Sequence, residues 1–324
     1  MKRIIAVMAA ALTLFAAAHA EVSFTYNAYM GFQGEEINVR IENDGKNAGE
    51  TVQLRDENGN VLAQVQLIRT KGRQNVSFTV PDDAAGHTMA LWREGAEQAD
   101  DTALLACETR PGYSITRVDR DDKKLAITFD SANAASKTLQ ILDLLDRYEA
   151  KCTFFLQGTF VKGNPDVVRE IEARGHELAN HSYSHPNMPD LTNDQILADF
   201  EKSFAMYEEV LGHPVSLYRP PSGYSSQRDR AIARALGQEV IKWTIDSRDG
   251  FGDTTLNTVI KRVQNHVQSG DIILMHVYGK HTIKALETLL PYYIDQGYEF
   301  VTVSDLLLAG DTIIDTDGVQ HLAE

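Results

Sequence analysis

From Lys124 onward the chain alternates short apolar runs with amphipathic stretches of helical period. Leu125–Phe129, Cys152–Leu156, Val240–Ile245, Ile272–Met275 and Phe300–Val303 read as strands. Lys137–Tyr148, Leu256–Val267 and Thr282–Tyr293 read as helices. Asn164-Pro165 opens a further helix that Gly175 stops, and Thr192-Asn193-Asp194-Gln195 has the form of a capping box. Strand–helix repetition of this length predicts a parallel α/β sheet or barrel. The same pattern constrains function, because polar groups cluster where the apolar runs end, and the C-terminal edge of such a sheet is where catalytic groups gather.

Five segments lie at those ends: Thr128-Phe129-Asp130, His181-Ser182-Tyr183-Ser184-His185, Arg219-Pro220-Pro221-Ser222-Gly223, Asp246-Ser247-Arg248-Asp249 and Leu274-Met275-His276. Together they suit metal-assisted hydrolysis of an amide or ester. His181 and His185, four apart, would face one way on a helical turn and suit one divalent ion. Asp130 is placed to act as a general base on water. Arg219, stiffened by the two prolines, would keep Asp130 ionised and oriented. Ser222 could present a backbone N–H to a developing oxyanion, beside a pocket that includes Leu274. His276 could protonate a leaving amine, with Asp249 or Asp246 raising its pKa. Each segment alone also has a bland reading, as a cap, a surface loop or a core histidine. His176, His213 and His281 are given that reading here.

Residues 21–110 have a different character. Glu36–Ile41, Thr51–Arg55 and Asn75–Val80 alternate with period two, and Asn58-Gly59-Asn60 marks a hairpin. A small all-β sandwich is expected, as a binding module or a spacer. A polar connection fills 111–123, and the tail 310–324 carries no motif. Residues 1–20 read as a signal peptide: Lys2 and Arg3, an apolar stretch, then Ala18-His19-Ala20. Export to the periplasm or outside the cell is expected, with no membrane span once the signal is removed. Removal takes two positive charges, so the formal charge of -15 becomes -15 - 2 = -17. Such an acidic chain is a poor partner for nucleic acid. Export makes a Cys107–Cys152 disulfide feasible, whereas the apolar run around Cys152 suits a buried free thiol.

Taken in order, the five segments resemble the polysaccharide deacetylases of the NodB homology family (carbohydrate esterase family 4), over about residues 124–309. The resemblance implies a distorted (β/α) barrel behind the sandwich and hydrolysis of N-acetyl groups on a glycan such as peptidoglycan or chitooligosaccharide. By position it makes Asp130 the base, His276 the acid, Arg219 and Asp249 the groups that tune them, and His181 and His185 metal ligands. It also implies a divalent ion, zinc first. Ser131 stands where the family carries an acidic third ligand, so affinity should fall, and a water, Asn133 or a substrate group would complete the site. Gly250 and Ser222 replace frequent aromatics, and Gly250 should thin one wall of the acetyl pocket. Two alternatives follow from Ser131: a catalytically silent glycan-binding protein and a metal-independent amidohydrolase.

Overall fold

The computed structural model describes residues 22–67, 71–82, 87–108, 113–131 and 133–323. The expected signal peptide and part of the connection before residue 113 lie outside the described residues. Two compact units are present. One holds the chain up to residue 112 with Met188–Glu201 and Ser225–Gln238, and the other holds the rest.

In the first unit, alternating side chains build two sheets over one core. Val22–Phe24, Glu36–Asn43 and Gly72–Thr79 form a three-stranded sheet. Ala28–Phe32, Asp101–Glu108, His87–Arg93, Thr51–Arg55 and Val61–Gln66 form a five-stranded one, in that order. Val39, Ile41, Val52, Leu54, Val76, Met89 and Leu91 are buried together, as the period-two pattern requires. The N-terminal region is thus the all-β sandwich expected.

The second unit is built on a curled sheet. Its order is Glu239–Val240, Leu217–Tyr218, Glu177–Asn180, Thr153–Leu156, Lys124–Ser131, Ile272–His276, Ile245–Asp246, with Glu299–Phe300 also on Lys124–Ser131. Every pairing is parallel. A central parallel strand is covered on both faces, which explains why Leu125 to Phe129 is buried throughout and apolar but for Thr128, rather than alternating. Phe129 and Phe154 stack with centroids 5.1 Å apart. Around them, Ala135–Arg147, Pro165–Ala173, Leu256–Gln264 and Thr282–Ile294 turn their apolar stripes inward, each fully buried large side chain contributing about 1.5–3 kcal/mol.

Several boundaries differ from expectation for identifiable reasons. The run Val240–Ile245 splits into Glu239–Val240 and Ile245–Asp246, because residues 241–244 leave one edge of the sheet for the other. Lys242 N–H donates to Ile115 O (2.7 Å) and Thr244 N–H to Ile272 O (3.1 Å). The last strand stops at Phe300, and Thr302 caps a short helix, Val303–Leu306. Asn164 precedes its helix, but its side chain donates to Phe160 O instead of capping. The capping box at Thr192 and Gln195 forms as expected. The tail folds into a hairpin, Thr312–Ile314 with Val319–Leu322, whose second strand pairs with Arg117–Val118. Cys107 and Cys152 are both buried free thiols. Among the described residues no helix is long and apolar enough to cross a membrane.

Candidate active site

Register brings the motifs to one edge. Asp130 is aligned with His276 on one side and Phe155 on the other. Asn180 pairs with Tyr218, so His181 and Arg219 leave adjacent strands side by side, and Asp246 aligns with Leu274. A cavity of about 820 Å³ opens there, lined by Asp130, Ser131, His181, His185, Ser222 and His276, with Asn133, Trp243 and Leu274 among the others.

Asp130 is held from beneath by a fully buried arginine. Arg219 Nη1 donates to Asp130 Oδ1 (2.8 Å) and Thr128 Oγ1 (2.8 Å), and Nη2 donates to Lys242 O (2.9 Å). The guanidinium lies 3.9 Å from the Phe155 ring centroid and 5.5 Å from that of Trp243. Thr128 Oγ1 in turn donates to Ile273 O (2.8 Å), so it accepts from Arg219 without losing its own proton's partner. Burial disfavours the Asp130 charge, but the His181 imidazole and Arg219 guanidinium outweigh it and hold the carboxyl below the usual range. Since His181 is neutral near pH 7, the lasting contribution is the fixed charge of Arg219.

His181 Nδ1–H donates to Arg219 O (2.9 Å), which leaves the Nε2 lone pair toward the cavity, 3.4 Å from Asp130 Oδ2. Burial lowers its pKa to about 4, so it is neutral, as a ligand must be. The His181 and His185 rings are 5.0 Å apart. They are not brought together by a helical turn, as the spacing suggested. The segment is a loop, with Ser182 and His185 at positive φ (66° and 63°), a conformation costing about 1 kcal/mol per residue or more. The N-terminus of the helix Gly158–Gly163 supports it: Gly158 N–H donates to Ser182 O (2.9 Å) and Thr159 N–H to Tyr183 O (3.0 Å). Only glycine serves at 158, because a Cβ there would stand 2.7 Å from Tyr183 Cδ2.

His276 has its own partner. Its Nδ1 is 2.9 Å from Asp249 Oδ1, and its backbone N–H donates to the same carboxylate. Burial works to lower its pKa, but the Asp249 hydrogen bond and the charges of Asp130 and Asp249 raise it above the ordinary value. Of the two carboxylates offered by the sequence, Asp249 is therefore the one that bonds the imidazole. Thr282, which the sequence reading passed over, donates Oγ1–H to Asp249 Oδ2 (2.6 Å) from the first turn of its helix. A buried threonine opening an amphipathic helix carries no signal of that role.

Ser222 sits in a turn with φ 56°, followed by Gly223, at the cavity wall. Gly250 also lines it, but does more than thin the wall. The His276 ring packs on it so closely that a Cβ at 250 would lie 2.9 Å from Nδ1. Tyr224, Phe251 and Tyr278 line the cavity and are 66, 48 and 42 % exposed, giving it an aromatic rim that the motifs did not predict.

Both imidazoles have the donor chemistry that a borderline-soft divalent ion takes, and the Arg219 carbonyl fixes the tautomer of His181. Ser131, at the position where the resemblance places a third ligand, lines the same cavity, and its Oγ donates to Asn133 O (3.2 Å). Among the described residues no group of three or more His, Cys, Asp or Glu is arranged to hold a metal. The two histidines supply only part of a divalent-ion site, and Ser131 adds a neutral hydroxyl where a charged ligand would bind more tightly.

A carboxylate paired with a buried guanidinium and an imidazole paired with a buried carboxylate thus stand side by side on one cavity at the C-terminal edge of a parallel sheet, a pairing suited to hydrolysis. The description "Polysaccharide deacetylase" matches residues 117–241, which include Asp130, His181, His185, Arg219 and Ser222 but neither Asp249 nor His276. A peptidoglycan-N-acetylglucosamine deacetylase of Bacillus cereus is 35 % identical over 210 residues, 63 % of this chain and 98 % of that protein. The peptidoglycan-N-acetylglucosamine deacetylase PgdA of Listeria monocytogenes is 32 % identical over 187 residues, 58 % of this chain but only 39 % of its own length. Among solved structures, a CE4 family pseudoenzyme from Bacillus anthracis superposes with a TM-score of 0.57 at 31 % identity, covering 60 % of this chain and 68 % of that one. The chain belongs to the polysaccharide deacetylase family, hydrolases of carbon–nitrogen bonds other than peptide bonds.

Proposed function

We propose that this chain is an exported N-deacetylase of an N-acetylated cell-wall glycan, with peptidoglycan as the leading substrate. The observation that carries the reading is the register pairing of Asp130 with His276, each with its own buried partner. Asp130, ionised through Arg219, takes the proton of the water that attacks the acetamide carbon. The Ser222 backbone N–H faces the oxyanion as it develops. His276, whose pKa Asp249 raises, passes a proton to the nitrogen, the C–N bond breaks, and acetate and an amine are left. His181 and His185 would hold a divalent ion, which when bound lowers the pKa of water and polarises the carbonyl. The exposed aromatic rim favours a sugar polymer over a small enclosed substrate, which weighs against a metal-independent amidohydrolase. Export is proposed from residues 1–20.

A second reading is favoured by one observation, the hydroxyl of Ser131 at the third ligand position. A chain of this fold that binds glycan without turnover would carry such a change, and a structural relative is itself described as a pseudoenzyme. Acetate release from N-acetylated glycans by the mature chain separates the readings, measured after chelation and again with zinc, cobalt or manganese, beside His181→Ala. Release that needs metal and His181 supports the proposal. Release that survives chelation removes the metal from it. Glycan binding with no release establishes the silent reading.

A further inference from the structure

The outer face of the five-stranded sheet is covered unevenly. The helix Gln227–Ala235 packs on the strand Asp101–Glu108, whose Leu104 and Ala106 are buried. On the strands at the other side of the sheet lies a separate cavity of about 230 Å³, lined by Thr51, Gln53, Arg55, Gln64, Trp92 and Glu94 among others. Gln64, Gln53 and Trp92 are direct cross-strand neighbours, so they form one row about 10 Å long at the usual strand spacing. Arg55 ties the row together. Its guanidinium lies 5.2 Å from the Trp92 ring centroid, and its Nε and Nη2 both donate to Gln53 Oε1 (2.9 and 2.5 Å). The array is therefore in place before a ligand arrives, which reduces the ordering cost of binding.

We propose that this cavity is a second saccharide-binding site, distinct from the catalytic cavity. An indole beside planar amides and a guanidinium offers an apolar surface for sugar C–H groups, with donors and acceptors for hydroxyl and acetamido groups around it. Nucleic acid is a poor occupant, because two arginines with Glu94 in a chain of formal charge -15 supply little phosphate neutralisation. The choice of a glycan occupant rests on the function proposed above. Such a site would hold an insoluble polymer independently of the chemistry at Asp130.

The sequence has two tryptophans, and the second, Trp243, lies in the catalytic cavity. In the full chain carrying Trp243→Phe, Trp92 is the sole indole reporter. Its emission should change saturably with soluble N-acetylglucosamine oligosaccharides or muropeptides. Co-sedimentation with purified peptidoglycan should weaken by about fivefold or more in Trp92→Ala and in Gln53→Ala, the loss expected of a binding hot spot. Gln53 is only partly buried, so its variant guards against a folding defect at Trp92. Unchanged emission at saturating sugar, or both variants sedimenting like the parent, overturns the proposal, as does a Trp92 response to unstructured peptide but to no glycan. Acetate release by the parent chain is scored separately: sedimentation that depends on Trp92 without turnover leaves this site standing, whereas turnover with unaltered sedimentation of the variants removes it alone.

Discussion

Gly250→Ala tests the acid side of the site with a single methyl group. The added Cβ would stand 2.9 Å from His276 Nδ1 and 3.1 Å from both Cε1 and Cγ. Comfortable contacts to carbon begin near about 3.5 Å, so the ring or its loop must yield by roughly half an ångström. The His276–Asp249 bond, 2.9 Å long in the parent, is the contact most exposed to that shift, and bonds of this kind weaken beyond about 3.2 Å. A hydrogen bond to a charged group is worth about 1.5–3 kcal/mol, and about 1.4 kcal/mol is tenfold in rate, so kcat should fall by roughly ten- to a hundredfold. KM should move less, because the acid acts after the substrate is bound. Steady-state acetate release measures both constants, and denaturant unfolding checks that the variant is folded. A folded variant with kcat within about twofold of the parent would refute the argument that Gly250 sets the place of His276.

Further expectations concern neighbouring groups. Asp249→Asn removes the carboxylate that raises the His276 pKa, so His276 should lose its proton at lower pH and the basic limb of the pH–rate profile should move down; an unmoved limb counts against His276 as the acid. Thr282→Val deletes the 2.6 Å hydrogen bond to Asp249 and should cost up to about tenfold in kcat, with Thr282→Ser restoring it; equal loss in both variants would point to packing instead. Ser131→Asp should tighten zinc binding by about tenfold or more in calorimetry, and no change would place the ion elsewhere. Asp130→Asn should abolish acetate release, and, because Arg219 keeps only a neutral partner, should also lower the unfolding midpoint at neutral pH. The Asp130 carboxyl is depressed by folding, so its stabilisation is present above the ordinary carboxylate range and is lost as pH falls through the folded value. The stability gap between parent and variant should therefore close in acid, and a gap independent of pH would contradict the pairing.

The sequence made the parallel sheet legible because buried strands and amphipathic helices carry different periods, and strand ends followed by polar residues could be aligned on one edge. Asp130, Arg219 and His276 were singled out that way, whereas strand ends left Asp246 and Asp249 as alternatives and the family resemblance selected Asp249. Contacts that depend on three-dimensional register were not legible. Thr282 reaches Asp249 across 33 residues, and nothing local distinguishes it from any helix-opening threonine. The histidine loop was misread as a helical turn because the same i, i+4 spacing arises from two left-handed residues held by the N-terminus of another helix. The split of residues 239–246 was missed because an apolar run does not reveal where a chain changes neighbours.

The energetic position of Arg219 bears on which reading of Ser131 is right. Its side chain is wholly buried, its Nε has no hydrogen-bond partner among the described residues, and burial works to lower its pKa against the pull of Asp130. Taking such a pair out of water costs several kcal/mol per ion before the attraction between them is counted, and apolar replacements of similar volume are often as stable or more so. A fold that used this edge only to adsorb a glycan would have no physical need for the pair, nor for a second buried carboxylate set against His276. The structure sets a carboxylate held below its usual range beside an imidazole held above its own, at the lip of one cavity, an arrangement suited to proton transfer and not needed for adsorption. Ser131 would change the charge offered to a metal, while the Asp130–Arg219 and His276–Asp249 pairs beside it remain in position.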